Sequence, residues 1–245
     1  MARRAPTFAL LLAHVHGALG SLVATNCDLS VLGSAGEVHG AFSLGLVGGA
    51  AALRSTTWIR WLGPPLLCGG LTIAALQSSS VLATFALAAL CELLTIGGRA
   101  SPRWRGAGFA LVYGVLSFAA GYLACAPRPG PSCALLAVGF AGIYASAQPL
   151  LDGRPGASWR PWRRPLDRST ALSWFGLPFL FAWIFLYGPG WTGTALAAPG
   201  ALWLSWLTIT ATFRGRSDEA PAVAPGHCAL AWLSLEAGVG LSSYL

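Results

Sequence analysis

Charged residues are scarce in this chain, and one basic residue type is missing altogether. Only 9% of the 245 residues are charged, whereas soluble globular domains carry about 25%. A chain with so little charge cannot cover a water-facing surface, which excludes an ordinary soluble domain. All fifteen basic residues are arginine. Nothing in membrane physics excludes lysine, so we attribute its absence to a GC-rich coding genome.

The motifs of common enzymes and metal sites are absent as well. Six cysteines in 245 residues are too few for a secreted disulfide scaffold, and no two are spaced as C-x-x-C. The sequence contains no N-x-S/T glycosylation site, no phosphate-binding G-x-x-x-x-G-K, no H-E-x-x-H and no G-x-S-x-G. We therefore predict a protein without enzymatic activity, bound cofactor or metal.

Long apolar stretches dominate the sequence: 55% of residues are hydrophobic and the mean hydropathy is +0.64. A helix of about 20 apolar residues crosses a bilayer, and continuous rather than alternating runs favour helices over a barrel. We predict an all-α polytopic transmembrane bundle in which residues 1–245 form a single integral membrane domain. Its nine predicted spans are 7–24, 34–53, 61–77, 79–97, 107–125, 133–151, 170–188, 193–212 and 225–244.

The placement of arginine predicts the orientation of these spans. With the N-terminus in the cytoplasm, fourteen of the fifteen arginines fall on the cytoplasmic side and only Arg128 falls on the other. This is the asymmetry that membrane insertion imposes on basic residues. We therefore predict a cytoplasmic N-terminus and an exoplasmic C-terminus. Cleavage of the first span as a signal peptide, which stays open, would leave the remaining topology unchanged.

The densest basic segment, Asp152–Ser169, separates the sixth and seventh predicted spans. Each arginine near an anionic leaflet contributes about 1 kcal/mol, so this segment predicts a cytoplasmic anchor on lipid headgroups rather than a nucleic-acid site. Its prolines should keep it from becoming a helix. The anchoring residues are Arg154, Arg160, Arg163, Arg164 and Arg168.

Three carboxylates fall within or beside predicted spans, where ionisable side chains are costly and mark functional sites. Glu236 lies deepest, Glu92 lies within two turns of a cytoplasmic end, and Glu37 lies at an exoplasmic mouth. Together they could form an intramembrane polar site that relays protons. The alternative, which their unequal depths favour, is that each is hydrogen-bonded within the bundle or lies near an interface.

A short V-H-G-A repeat contains two of the four histidines, His16 and His39. Haem binding would require histidines on facing helices at matched depth. His16 falls in the middle of the first span and His39 near the exoplasmic entrance of the second, so we expect their depths to differ. No cysteine or carboxylate completes a metal ligand set around them.

Small residues recur at four-residue spacing in three of the predicted spans. Such stripes let helices approach closely, but the spacing alone does not distinguish packing within one chain from self-association. The three stripes are Ala13, Gly17 and Ser21; Ala41, Gly45 and Gly49; and Ala137, Ala141 and Ala145.

Two cysteines, Cys125 and Cys133, flank the short exoplasmic segment between the fifth and sixth spans. Because the exoplasmic side is oxidising, they could form a disulfide. Free thiols are the alternative, and the sequence leaves both open.

Several stretches, taken in order, resemble a herpesvirus family: the polytopic membrane protein encoded by the forty-third gene of the unique long region in alphaherpesviruses. They are "GAFSLGLVGGAAALR" (40–54), "LTIGGRASPRWRGAG" (94–108), "GALWLSWLTITATFRGR" (200–216) and the closing "GVGLSSYL" (238–245). The long hydrophilic middle segment of that family has only the short Asp152–Ser169 loop as its counterpart here. The resemblance supplies no catalytic residues.

The resemblance implies a multi-pass protein of the virion envelope and host membranes that modulates membrane fusion or glycoprotein trafficking. We expect it to act by lateral contact with other membrane proteins, viral envelope glycoproteins among them, and with the lipid bilayer. The alternative hypothesis is a small proton-coupled transporter or channel that uses Glu236 and Glu92.

Overall fold

The computed structural model describes residues 5–26, 28–96, 107–151, 165–188, 190–214 and 225–244. Helices and short connections account for these residues, and no strand lies among them. The predicted all-α class is confirmed. The chain divides into two compact units, residues 1–137 and 138–245. Whether they act as one integral membrane domain stays a prediction.

The described residues of the first unit form five helices and the start of a sixth, and three of the five include a π-helical segment. Helix α1 is Ala5–Ala24 and α3 is Gly63–Gln77. Helix α2 consists of Gly36–Gly40, the π-helical Ala41–Gly48 and Gly49–Leu53. Helix α4 consists of Ser79–Cys91 followed by the π-helical Glu92–Ile96. Helix α5 begins at residue 107, continues through the π-helical Ala110–Leu116 and ends with Ser117–Cys125.

Short elements separate these helices. Asn26, with φ of 50°, follows α1 in the left-handed region that ends helices. A helical turn, Val31–Ser34, precedes α2, and a 3₁₀ turn, Trp58–Leu62, precedes α3. Ser78 alone joins α3 to α4, and its Oγ accepts a hydrogen bond from the Val81 N–H at 3.1 Å. This serine caps the first turn of α4.

Four more helices follow: α6 (Pro131–Leu151), which crosses the boundary between the two units, α7 (Pro165–Tyr187), α8 (Trp191–Arg214) and α9 (Pro225–Tyr244). Proline is the first residue of three of them, where its missing N–H costs nothing. Pro64 and Pro65 likewise lie in the first turn of α3, so they begin that helix and do not bend it.

The basic segment at 152–169 is helical at its C-terminal end. Arg154, Arg160, Arg163 and Arg164 lie outside the described residues, whereas Arg168 lies in α7. The expectation that prolines keep the whole segment from becoming a helix is therefore wrong for 165–169. Pro165 fails to block the helix because it occupies the first position, where proline is compatible with helical geometry.

Glycine allows two helices of the first unit, α1 and α5, to run side by side in contact. A Cβ added to Gly121 would lie 1.8 Å from the Gly17 carbonyl oxygen, and one added to Gly20 would lie 2.1 Å from the Phe118 carbonyl oxygen. Gly17 contacts Ser117, and four residues later in both helices Ser21 contacts Gly121. Contacts that advance in the same direction along both helices mean that α1 and α5 are parallel. Only residues without side chains permit this approach.

Other helix pairs within each unit also approach closely at glycine residues. In the first unit, Gly45 of α2 faces Gly70 of α3 with 2.8 Å between its added Cβ and the Gly70 Cα. In the second unit, Gly139 of α6 faces Gly176 of α7. Gly200 of α8 lies against the backbone of α9, and Gly238 of α9 lies against the backbone of α8. The predicted stripes through Gly17 and Gly45 thus serve packing inside the chain.

Many large apolar side chains are exposed on the surface of the described helices. Two described helices are long and apolar enough to cross a membrane by length and composition, Trp58–Gln77 and Ala107–Cys125. Shorter apolar helical stretches occur at Leu10–Ala24, Ser79–Leu94, Pro131–Tyr144 and Phe175–Tyr187. In an 18-residue window of Trp58–Gln77 only 17% of residues are buried, and Leu76 is 81% exposed.

Candidate functional site

Buried polar side chains concentrate in the first unit. Six described ones there are almost completely withdrawn from the surface, although an unpartnered buried polar group costs about 1–3 kcal/mol. They lie on α1, α2, α4 and α5. Three of these helices, α2, α4 and α5, contain π-helical segments, which frequently mark functional sites. The six residues are His16, Ser21, His39, Ser43, Glu92 and Ser117.

At one end of this group, Glu92 is paired with an arginine. Arg54, which follows the last residue of α2, donates from Nη2 to Glu92 Oε1 at 2.6 Å. Tyr113 of α5 donates its hydroxyl to Glu92 Oε2 at 3.4 Å. The Glu92 side chain is 2% exposed and that of Arg54 is 35% exposed, so the pair reaches from the interior to the surface. The contacts join the C-terminal parts of α2 and α4 to α5.

One face of α5 carries groups that face this polar interior at every fourth residue: Tyr113, Ser117, Gly121 and Cys125. Residues four apart lie on the same side of a helix. Ser117 Oγ donates to the Tyr113 carbonyl oxygen at 2.7 Å. The face therefore runs from the Glu92 end of the helix to its last residue.

His16 faces the same helix from α1. Its Nε2 lies 3.3 Å from the carbonyl oxygen of Gly114, which belongs to the π-helical segment of α5. A carbonyl oxygen only accepts, so Nε2 is the protonated ring nitrogen. The imidazole is completely buried and packs against Phe118, with 5.6 Å between ring centroids.

His39 lies against the middle of α1. Ser21 Oγ donates to the Gly121 carbonyl oxygen at 2.9 Å, so His39 Nε2, 2.8 Å from the same Oγ, is the donor to Ser21. A Cβ on Gly17, next to His16, would lie 3.2 Å from His39 Cδ2. The His39 ring therefore reaches α1 beside Gly17, while its Nε2 is bonded to Ser21, further along that helix. That His16 and His39 differ in depth stays a prediction.

A third histidine borders this arrangement. The ring of His14, which is exposed, meets the ring of His39 edge-on with 5.6 Å between centroids. Among the described residues, no group of three or more histidines, cysteines and carboxylates is arranged to hold a metal ion. The histidines belong instead to a hydrogen-bonded polar network.

The far end of the α5 face contains a cysteine. Cys125 is half-buried, and nearby Thr25 Oγ1 donates to the Ser21 carbonyl oxygen at 2.9 Å. Cys133, on α6, is buried. Both are free thiols in the structure, which is the second of the two alternatives the sequence leaves open.

A separate buried carboxyl group lies in the second unit. Glu236 of α9 is 4% exposed and accepts a hydrogen bond from the Tyr144 hydroxyl of α6 at 2.5 Å between Oη and Oε1. Whether Glu236 also lies deep in a bilayer stays a prediction. Glu37, in contrast, is exposed near the start of α2. Glu37 and Glu92 belong to the first unit and Glu236 to the second, so the three-carboxylate relay stays a prediction.

No protein-family model, no curated protein and no solved structure matches this chain.

Sequence patterns missed the partners of the buried carboxylates. The arginine asymmetry places Arg54 on the predicted cytoplasmic side without indicating a partner, and no motif points to Tyr113 or Tyr144. The four-residue spacing of Tyr113, Ser117, Gly121 and Cys125 is a signal that could have marked the polar face of α5. No comparable spacing marks Tyr144.

Proposed function

We propose that this protein is a multi-pass integral membrane protein that acts by lateral contact with other membrane proteins. Nine helices would cross the bilayer, with the N-terminus in the cytoplasm and the C-terminus on the exoplasmic side. The protein would have no catalytic role of its own. Its described surface is suited to lipid and to neighbouring transmembrane helices.

The observation that supports this best is the exposure of Trp58–Gln77. A core helix of a soluble protein would be buried and a signal sequence would lie near the N-terminus, whereas this apolar helix is internal and only 17% of its apolar window is buried. Exposed apolar surface on this scale marks contact with a membrane or another protein. Further exposed leucines lie on α4 and α8: Leu87, Leu90, Leu93 and Leu202.

Helix directions within the first unit support alternating spans. Helices α1 and α5, both predicted to run from the cytoplasm outward, are parallel, whereas contacts of Gly45 with Gly70 and of Gly49 with Gly63 make α2 and α3 antiparallel. Arg54 and Glu92, both predicted near cytoplasmic ends, meet each other. A bundle of alternating spans requires these relations.

The resemblance to the alphaherpesvirus envelope family extends the proposal to a location and to partners. The protein would reside in the virion envelope and host membranes and contact envelope glycoproteins, thereby modulating fusion or trafficking. The lipid bilayer would be its second partner, through the arginines of 152–169 and the exposed tryptophans Trp58, Trp61 and Trp191.

Two measurements test the proposal. The tagged protein should stay in the membrane pellet after extraction at alkaline pH, since only an integral protein resists it. Co-expressed with viral envelope glycoproteins, it should co-purify with them and change the extent of cell–cell fusion. Release at alkaline pH would overturn membrane integration, and unchanged fusion without co-purification would overturn the lateral-contact function.

A second candidate is a small proton-coupled transporter, favoured by the burial of Glu236 and Glu92. Placing an ionisable side chain inside a bilayer costs free energy, so such side chains are retained where they bind or move ions. In reconstituted vesicles, E236Q should then abolish substrate-driven proton uptake. The absence of uptake by the wild-type protein under any gradient would count against this candidate.

A further inference from the structure

We propose that the first unit conducts protons across the membrane along a column of polar side chains on and beside α5. This inference rests on the proposal that the first unit crosses a bilayer, and it adds an activity that lateral contact does not require. We name the groups the α5 column: Glu92, Tyr113, Ser117, His16, His39 and Ser21.

The column reaches the surface at the end predicted to be cytoplasmic. The Glu92 carboxylate is buried, but the Arg54 guanidinium bonded to it is 35% exposed. A proton arriving from the cytoplasm would meet the carboxylate beside this partly open arginine. Tyr113, 3.4 Å from the second carboxylate oxygen, is the next group along α5.

The middle of the column combines hydroxyl and imidazole groups. Tyr113, Ser117 and Gly121 are spaced by about 6 Å along the helix, given a rise of about 1.5 Å per residue. His16 approaches between the first two of them and His39 approaches beside the third. Single water molecules or side-chain rotations can bridge gaps of this size.

An imidazole can pass a proton without a net change in its own charge. A proton binds the unprotonated Nδ1 while the Nε2 proton leaves to the next acceptor, and the ring then returns to its starting tautomer. For His39 that acceptor is Ser21 Oγ, 2.8 Å away. As Oγ takes this proton it releases its own, which in the resting structure is donated to the Gly121 carbonyl oxygen, to a water molecule entering from the half-buried end of the column. One O–H or N–H bond forms for each one that breaks, and one proton crosses per cycle while a counter-ion balances the charge.

The π-helical geometry supplies a further feature of the route. A π-helical segment displaces backbone hydrogen bonds from their α-helical positions, and the Gly114 carbonyl, which lies within one, accepts a hydrogen bond from His16. That contact fixes the imidazole against α5. Two of the three π-helical segments of the first unit contain members of the column, Glu92 and Tyr113.

At the opposite end the column again comes near the surface. Ser21 is completely buried, but Cys125 and Thr25 are both half-buried, and Thr25 Oγ1 donates to the Ser21 backbone carbonyl oxygen. These two residues end α5 and follow α1, respectively. On α5 the polar groups therefore extend from Tyr113 to Cys125, the greater part of Ala107–Cys125, a helix long enough to cross a bilayer, and Glu92 with Arg54 continues them from Tyr113 toward the end predicted to be cytoplasmic.

The test is proton flux in vesicles containing the purified full-length protein. An internal potassium gradient with valinomycin sets a membrane potential, and an enclosed pH-sensitive dye reports proton entry. Flotation of the vesicles with the protein establishes insertion, so a failure of the membrane proposal is seen before any flux is measured. Wild-type protein should acidify the interior faster than protein-free vesicles do.

Two column variants and one control then locate the route. H39N and S21A should each reduce the flux to that of protein-free vesicles, because each removes a relay group at the centre of the column. T72V is the matched control, since Thr72 is an exposed hydroxyl on α3 whose Oγ1 donates only to the Cys68 carbonyl oxygen of its own helix. It should conduct like the wild type.

Folding of each variant is checked by a monodisperse elution profile in detergent, and S117A replaces any variant that aggregates. Wild-type flux equal to that of protein-free vesicles would overturn the proposal. Wild-type flux retained in correctly eluting H39N and S21A would also overturn it. Flux that depends on Glu236 and not on the column would overturn it and support the second candidate function instead.

Discussion

The Tyr144 hydroxyl donates to the Glu236 carboxyl group at 2.5 Å, inside the second unit, with both side chains almost completely buried. The contact joins α6 to α9 across 92 residues of sequence. A tyrosine is suited to this role because its ring adds to the apolar core while its hydroxyl satisfies the carboxyl group.

We predict that Y144F destabilises the protein by about 1–3 kcal/mol, because a buried acceptor loses its donor while the core shape is kept. Thermal unfolding in detergent would measure this as a lower midpoint. Y187F is the control, since the Tyr187 side chain is 49% exposed on α7 and its hydroxyl should contribute little. Equal midpoints for the two variants would contradict the prediction.

The crossing of α1 and α5 yields a second prediction. G121A should cost about 1–3 kcal/mol or more through overpacking, because the added Cβ would lie 1.8 Å from the Gly17 carbonyl oxygen and backbone cannot move aside easily. The yield of monodisperse protein and its unfolding midpoint would both fall.

The matched control for this variant is G69A on α3. No atom lies within 4 Å of a Cβ added there, so its effect should stay within about 0.5 kcal/mol, the usual range for exposed sites. If G69A and G121A unfolded at the same temperature, the close approach of α1 and α5 would not exist in the protein.

The helices themselves were largely predictable from sequence, and the side-chain partners were not. Runs of about 20 apolar residues require backbone hydrogen bonds to be satisfied locally, which only a helix does, so helix positions follow from composition. Within the described residues a helix occupies each predicted run, and the bounds of the fifth, Ala107–Cys125, coincide with the prediction.

The position of His39 shows why the partners were missed. Its place near the start of α2 predicts its depth but not its neighbours, and its ring contacts α1 because Gly17 leaves room for it. Such contacts depend on which faces of two helices meet, and periodicity in one helix does not encode that. The pairing of Glu92 with Arg54, 38 residues apart, is of the same kind.

The pair of Arg54 and Glu92 yields a third prediction. Removing one partner of a fully buried ion pair costs about 3–5 kcal/mol, and the cost of R54A should be smaller because the arginine side chain is 35% exposed. The double variant R54M/E92M should recover part of this loss, since it leaves no uncompensated carboxylate. Unfolding midpoints of the single and double variants in detergent would show the recovery.

R60A serves as the control for charge removal at the same end of the molecule. The Arg60 guanidinium lies 5.0 Å from the centroid of the exposed Trp61 ring, a contact that contributes about 0.5–1 kcal/mol at such sites. An R54A midpoint no lower than that of R60A would mean that the ion pair contributes nothing to stability.

The arginine asymmetry yields the last prediction, which concerns orientation. The chain has no N-x-S/T site of its own, so an inserted glycosylation site reports its location without background. A linker-borne site inserted after Pro127 should be glycosylated in microsomes, whereas one inserted in 152–164 should not.

Replacing the five arginines from Arg154 to Arg168 with alanine should expose a fraction of the latter site to glycosylation, because basic residues hold that segment in the cytoplasm. R128A removes the lone arginine predicted to be exoplasmic and should leave both results unchanged. Glycosylation of the 152–164 site in the otherwise unaltered chain would invert the proposed orientation or change the number of spans before it.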